Sequence, residues 1–420
     1  MGLSRRGLAV GAAAAVLVAG VGTWAAWPGS PAYGEQFPRP TTAYPAAPDI
    51  GPMHVAATAT GPVTLSGSLA IVSRNSALTV TGWPAITGPT DGLAAVGRAY
   101  WTYRRAGHSV VGLTSDGGTD TLSVLWADGL LVRVDARKGK VAWHRDVGAA
   151  VAALAPQLWP TRTAGLLLLI SGQRIDAVDA RTGAVHWNAV QPSGTTLLKE
   201  WPAIGTRTLT VSDDRQLQTY DLRSGRRLWQ RGDLDVLRPL QSGPDQVVPA
   251  SAPGAIPVLD EDSGRQIRQI SSTERIELDD IHNGVGYGTA REGGPEAISL
   301  SDGRVLWTVR LAAAQTLPGV LAARNGQVYA VITDDRPNHR LLFRTYDATT
   351  GLQHSSVEVP LIPPGIVSTS ELPRFQKTGF GALSALTPSL AAIAEADSES
   401  AAAGLEDQLS DGYSTVILSL

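Results

Sequence analysis

The chain has 420 residues and a formal net charge of −3, a length that holds two or three ordinary domains or one large repeat domain and a charge that argues against a polyanionic partner such as nucleic acid. It contains no cysteine, which removes disulfides, thiolate metal sites, thiol nucleophiles and the lipid-modified cysteine of a lipoprotein. Its 45 glycines and 27 prolines suit a fold with many turns.

At the N-terminus, Arg5 and Arg6 precede an apolar core from Leu8 to Trp27. A helix of about 20 residues spans roughly 30 Å of hydrocarbon. Arginines at one end set that end in the cytoplasm, with Trp24 and Trp27 at the outer interface. Three readings stay open. One is a retained single-pass anchor, and another is a cleaved secretory signal processed near Ser30-Pro31-Ala32. The third is a twin-arginine signal in Ser4-Arg5-Arg6-Gly7-Leu8. Each puts the remainder outside the cytoplasm, on the cell membrane or, after cleavage, secreted. Residues 28–51 hold Pro28, Pro31, Pro38, Pro40, Pro45 and Pro48 and read as an extended linker. The expected organisation is a membrane anchor or signal helix over 1–27, a linker over 28–51 and one all-β domain over 52–420.

Strands begin near residue 53, with β-rich pieces at His54–Ala59, Val63–Ser66, Ser68–Ser73 and Ala77–Thr81, then Gly92–Val96. From there one pattern returns: Asp, three residues, Gly, three residues, Trp. It is complete at Asp135, Gly139 and Trp143, at Asp179, Gly183 and Trp187, and at Asp221, Gly225 and Trp229. Weaker copies are Asp260 and Gly264, with Arg268 in place of Trp; Gly303 and Trp307, with Ser299 in place of Asp; Asp347 and Gly351, with Ser355 in place of Trp; and Gly97 with Trp101. Each reads as strand, turn, strand. The Asp carboxylate can accept from the backbone N–H two residues on, and Gly takes positive φ without steric cost. The Trp falls in the next strand, where its ring can be buried against a neighbouring sheet. An apolar residue precedes the turn in six copies (Val134, Val178, Tyr220, Leu259, Ile298 and Tyr346), the fixed inward position that a stack of sheets requires. The glycines recur every 39 to 48 residues, the period of a β-propeller blade.

An Asp-Ala-x-Thr-Gly-x-x-x-Trp turn at this period resembles the PQQ-type β-propeller repeat. Quinoprotein alcohol dehydrogenases share it, as does the propeller lipoprotein of the outer-membrane barrel assembly machine. The resemblance covers roughly 65–420 and implies four-stranded blades. Seven turns define seven units, and the chain supplies more strand pieces at Leu352–Val359, Phe380–Leu386, Leu390–Ala394 and Ser414–Leu420. Eight blades are favoured, the last closed by an outer strand from His54–Ala59 or Val63–Ser66 so that no edge stays open. Seven is the alternative, if the C-terminal strands complete the first unit.

The resemblance to quinoproteins implies PQQ stacked on a Trp beneath a vicinal disulfide, with calcium polarising the quinone. No disulfide can form here, so neither PQQ nor calcium is expected, and no catalytic, cofactor or metal residue is assigned. The repeated aspartates are explained as turn caps and the tryptophans as packing between blades. No pair among the seven histidines has zinc spacing, and Asp260-Glu261-Asp262 lacks the spacing of a calcium loop. The expected function is a non-catalytic interaction scaffold, a monomeric propeller that meets envelope proteins. A small-ligand or sugar-binding sensory propeller is the alternative and a quinone-dependent dehydrogenase the third reading. Candidate binding loops are Gln191–Gly205, Asp334–Arg340, Leu361–Lys377 and the acidic Ala396–Asp411.

Overall fold

The computed structural model describes residues 99–116, 121–161, 163–192, 195–198, 202–213, 215–232, 246–249, 255–271, 277–317, 321–334 and 340–359. Elsewhere it describes mainly the backbone of the strands Glu35–Gln36, His54–Thr60, Val63–Ser66, Leu69–Arg74, Ala77–Gly82, Pro239–Gly243, Phe380–Leu386, Leu390–Ala396 and Ser414–Ser419. Gly97, the piece Gly92–Val96 and the loop Leu361–Lys377 lie outside the described residues, as does the loop Ala396–Asp411 beyond Ala396 itself.

The fold is all-β. Among the described residues the strands form eight antiparallel sheets of four or five strands, and one helical turn, Ala149–Ala152, interrupts a connection. In chain order sheet 1 covers 63–105, sheet 2 110–146, sheet 3 157–190, sheet 4 203–231, sheet 5 239–271, sheet 6 277–308 and sheet 7 315–359. Each runs outward as a meander from its first strand to its last. Sheet 8 differs: Phe380–Leu386, Leu390–Ala396 and Ser414–Ser419 supply three strands, and His54–Thr60 pairs antiparallel with Ser414–Ser419 as the fourth. The two ends of the domain therefore share one sheet, as the closure reading expects, and Val63–Ser66 is instead the innermost strand of sheet 1. The first strands of sheets 2 and 3, of sheets 4 and 5 and of sheets 5 and 6 touch, and Val63–Ser66 touches both sheet 2 and sheet 8. Such an arrangement of four-stranded sheets is that of a β-propeller.

Strand composition follows from position. Leu166–Ile170 is buried throughout, because a second strand is covered on both faces and so tolerates an unbroken apolar run. Alternate residues serve different neighbours. Leu167 and Leu169 pack with Leu125 and Leu131 of sheet 2, whereas Leu166, Leu168 and Ile170 pack with Leu209 and Val211 of sheet 4. The core is thus a chain of separate apolar layers, each built by two consecutive sheets, as sheets 1 and 2, 5 and 6 and 6 and 7 also show. The six residues read as inward-facing before the turns are all buried.

Two further points concern the N-terminal region. No helix among the described residues is long and apolar enough to cross a membrane, and residues 1–34, where the anchor or signal is expected, lie outside them. The linker expected over 28–51 is not wholly separate from the domain: Glu35–Gln36 pairs antiparallel with Arg104 and Arg105 as a fifth strand of sheet 1. An outer strand offers unpaired N–H and C=O groups, and an extended, Pro-rich segment can satisfy them.

Because sheet 8 is joined from both ends, deleting residues 411–420 should leave His54–Thr60 and Leu390–Ala396 without their shared partner and lower the thermal midpoint by roughly 5 °C or more. Differential scanning fluorimetry of the truncated and intact chains checks this, and an unchanged midpoint would refute the closure.

Candidate functional site

The repeated turn can be built from its atoms. In sheet 3 the Gly183 N–H donates to the Asp179 carbonyl at 2.8 Å and the Asp179 N–H to the Ala184 carbonyl at 2.8 Å. The Asp179 carboxylate closes the loop, accepting from the backbone N–H of Arg181 at 3.1 Å, that of Thr182 at 2.7 Å and the Thr182 hydroxyl at 2.7 Å. Asp347 repeats the set with Thr349 and Thr350. Asp221 and Asp260 use the N–H and hydroxyl of Ser224 and Ser263, and Asp135 takes the Lys138 N–H. The carboxylate thus reaches mainly the residue three on, and the Ser or Thr there supplies a second donor, which the two-residue expectation missed. Where Ser299 replaces Asp, the Gly303 N–H still donates to its carbonyl at 2.8 Å.

Each Trp leaves its own sheet. Trp143 lies over Gly183 of the following turn, and its indole N–H donates to the Ala180 carbonyl at 3.0 Å. Trp101 reaches Ala136, Trp187 reaches Leu222, Trp229 reaches Glu261 and Trp307 reaches Ala348, at 2.7 to 3.0 Å. A Cβ built on Gly139, Gly183, Gly225, Gly264 or Gly351 would stand 2.5 to 2.9 Å from the Trp ring of the preceding sheet. The turn glycine therefore serves twice, by its positive φ of 74° at Gly183 and by leaving room for the ring. A bulge sets the aim. The register between the two outer strands shifts once in all eight sheets, just before Trp101, Trp143, Trp187, Trp229 and Trp307 and before Arg268, Ser355 and Ala57 at the matching position. An extra residue there turns the next side chain toward the neighbouring sheet.

Glu261 was hidden by the acidic triplet around it. The residue after the first turn position is Ala136, Ala180, Leu222, Leu300 or Ala348 elsewhere; here it is a glutamate only 1% exposed, whose carboxylate accepts from the Thr208 hydroxyl of sheet 4. Its signal was available as the one charged member of an apolar column. Neighbouring Asp262 faces solvent and pairs with Arg207 at 2.6 Å.

The antiparallel order sorts the connections onto two faces. Turns between first and second strands, and between third and fourth, share one face, and backbone bonds tie them together: the Ala180 N–H donates to the Gly165 carbonyl, Leu222 to Arg207, Leu300 to Gly284 and Ala348 to Gly326. Connections from one sheet to the next, and between second and third strands, emerge on the other face. The strands that precede 147–156, 191–202, 232–238 and 335–339 end on that second face. Connection 147–156 is held by Ala149–Ala152, with Val151 and Ala152 buried. The candidate loop Gln191–Gly205 is moored to sheet 4: the Gln191 amide donates to the Tyr220 hydroxyl at 3.0 Å, that hydroxyl donates to Gln218 at 2.6 Å, and the buried Leu197 bridges to Asp213. Asp334, at the root of the second candidate loop, accepts from Gln315 at 3.0 Å. On the same face Arg105 grips Asp128 through two bonds of 2.7 and 2.8 Å, and this guanidinium holds the Asp128 carboxyl below the usual range. Among the described residues no three His, Asp or Glu side chains gather as metal ligands.

Comparison with known proteins agrees with the turns. The family model described as outer membrane protein assembly factor BamB matches residues 92–200, so the PQQ-type repeat resemblance read from the sequence is found independently. Among solved structures, BamB from Moraxella catarrhalis is similar at a TM-score of 0.51 and 14% identity, over 87% of this chain and 99% of that one. The computationally designed Ika8 protein follows at 0.49 and 12%, over 88% and 98%. The first supports the fold alone. No curated protein matches the sequence.

Two predictions follow from the turn. Gly183→Ala incurs both the positive φ and the Trp143 clash, whereas Gly284, at φ 76° with open space around it, incurs only the first. Chemical denaturation should therefore show Gly284→Ala costing about 1 kcal/mol and Gly183→Ala a further 1–3 kcal/mol or so; equal losses would contradict the second role of the glycine.

The carboxyls of Asp179, Asp221 and Asp260 are held below the ordinary range, first by the hydroxyls of Thr182, Ser224 and Ser263. Groups more acidic when folded contribute stability that is complete above their unfolded pKa, about 3.9, and is lost as pH falls through the depressed folded value. Melting curves from pH 6 to pH 2 should show this acid limb, shallower in Asp179→Asn than in the wild type.

Proposed function

We propose that the chain is a membrane-tethered, extracytoplasmic propeller of eight blades over residues 52–420 that serves as a non-catalytic scaffold for other envelope proteins. The observation that carries this reading is the asymmetry of the two faces. One face is a set of tight turns capped by Asp and sealed by Trp, with the Asp carboxylates and indole N–H groups bonded within the fold. The other carries the longer connections, two of them moored at Val151, Ala152, Gln191 and Leu197, so that loops stand on a rigid ring, the arrangement in which binding residues concentrate. The repeated Asp, Gly and Trp residues are spent on building that ring.

Partners of the general class named by the comparisons, components of an envelope assembly machinery, fit this reading. The tether differs from that of a lipoprotein, since there is no cysteine to modify; the apolar run Leu8–Trp27 behind Arg5 and Arg6 serves instead. The strand Glu35–Gln36 on sheet 1 shortens the free linker and holds the domain nearer the bilayer than an extended 28–51 would.

Protease added to cells with the wall removed should degrade the domain and leave a short N-terminal membrane fragment; protection until the membrane is broken would refute the orientation. For the scaffold role, chemical cross-linking followed by purification should retain a defined protein partner. Replacing 193–201 with a Gly/Ser segment of equal length should reduce that yield at least fivefold, while Lys138→Glu on the turn face should leave it unchanged. Equal yields from all three chains would count against the loop-bearing face.

A further inference from the structure

Deepening the scaffold reading, on which it rests, we propose that the outer edge of sheet 3, Val185–Val190, is a strand-addition site for an extended, uncharged segment of a partner protein. This strand ends its sheet, and its sequence Val-His-Trp-Asn-Ala-Val holds no Asp, Glu, Lys or Arg. Val185 and Val190 are 43% and 68% exposed.

Proteins protect free edges with charge, with brevity or with a cover, and the other outer strands with described side chains follow that rule. Lys140–Asp146 carries Lys140, Arg145 and Asp146; Arg227–Arg231 has an arginine at each end; Gln266–Ser271 holds Arg268 and Gln353–Val359 holds Glu358. Val305–Thr308 is uncharged but only four residues long, and Ala99–Arg105 is covered by Glu35–Gln36. Among the described residues, Val185–Val190 has none of these defences.

That covered edge also shows what occupancy looks like. On the equivalent strand of sheet 1 an extended segment pairs antiparallel, with Glu35 opposite Arg105. The edge of sheet 3 carries no Asp, Glu, Lys or Arg, so a charged occupant would find no counter-ion along it; its occupant is uncharged, with aliphatic or β-branched residues to meet the exposed valines. The edge is preorganised. The Trp187 indole N–H holds the middle of the strand to the Leu222 carbonyl at 2.7 Å, and just beyond its end the Gln191 N–H donates to the Gln173 carbonyl at 2.8 Å. The strand leads directly into the connection 191–202, so the edge is continuous with the loop-bearing face.

A second copy of the chain fits less well. Six residues make an edge of about 20 Å, and two folded bodies meeting along it bury far less than the roughly 1,200 Å² that a stable pair needs. A flexible peptide gains its affinity from main-chain bonds instead.

The probe is a labelled synthetic peptide of three Thr-Val repeats between Gly-Ser ends, added to the full chain. Hydrogen exchange should show new protection of the amides in 185–190. Fluorescence anisotropy should show affinity at least tenfold weaker for Val190→Lys and unchanged for Val190→Thr, with thermal midpoints confirming that both variants fold. No protection at 185–190, or equal affinity for the lysine variant, would overturn the inference. So would a wild-type dimer in sedimentation that Val190→Lys converts to monomer, since the edge would then belong to a second copy. The cross-linking experiment with 193–201 replaced tests the scaffold reading separately, and a partner retained by both wild type and Val190→Lys leaves that reading standing while the edge inference falls.

Discussion

The contact on which this fold depends is an indole ring laid on a glycine one repeat away. Burying a tryptophan removes a large apolar surface from water, worth several kcal/mol at about 25 cal/mol per Å². The donated N–H also satisfies a carbonyl that would otherwise face the ring. Because the acceptor lies in the next sheet, each such contact fixes the position of one sheet against its neighbour. Five of them, from Trp101, Trp143, Trp187, Trp229 and Trp307, join sheets 1 to 5 in series and sheet 6 to sheet 7.

The junction between sheets 5 and 6 uses other means. Between sheets 5 and 6, Arg268 stands where the ring would be, bonds Gln246 within its own sheet at 3.2 Å, and leaves the joint to an aliphatic layer of Val248, Ile256, Val258, Leu278 and Ile298. Ser355 likewise turns back to Thr345 at 2.6 Å. Sheets 6 and 7 gain extra polar stitches, since Asp279 and Asp280 accept from the Leu321 and Ala323 N–H groups at 3.1 and 2.8 Å. Among the described residues the junctions are thus uneven: sheets 1 to 5 are latched by indoles, sheets 5 and 6 by aliphatic packing, and sheets 6 and 7 by an indole together with carboxylate-to-backbone bonds.

This division explains why function is sought in the connections rather than in the repeat. The Asp carboxylates and indole N–H groups of the recurring turn are bonded inside the turn or to the adjacent sheet, so these repeated residues are committed to the fold rather than open to a ligand. The connections on the opposite face escape that demand. Their roots are nonetheless fixed, at Gln191 and Leu197 for one and at Asp334 for another, which keeps the loops on a rigid base.

From the sequence alone the turns, most strands and the inward residue of each unit could be read, because they rest on contacts within a few residues: a carboxylate reaching two or three positions on, a glycine free to take positive φ, a strand alternating its faces. The pairing of the two chain ends in one sheet could be reasoned from counting strands. What only the tertiary structure decided rests on contacts distant in sequence, 32 to 41 residues apart for the indoles and 53 for Glu261. These are the carbonyl each tryptophan meets, the second reason for each glycine, the burial of Glu261 beneath Thr208, and the docking of Glu35–Gln36 on a sheet edge. Likewise no spacing reveals that connections far apart in sequence emerge on a single face, since that depends on how every strand runs against its neighbour.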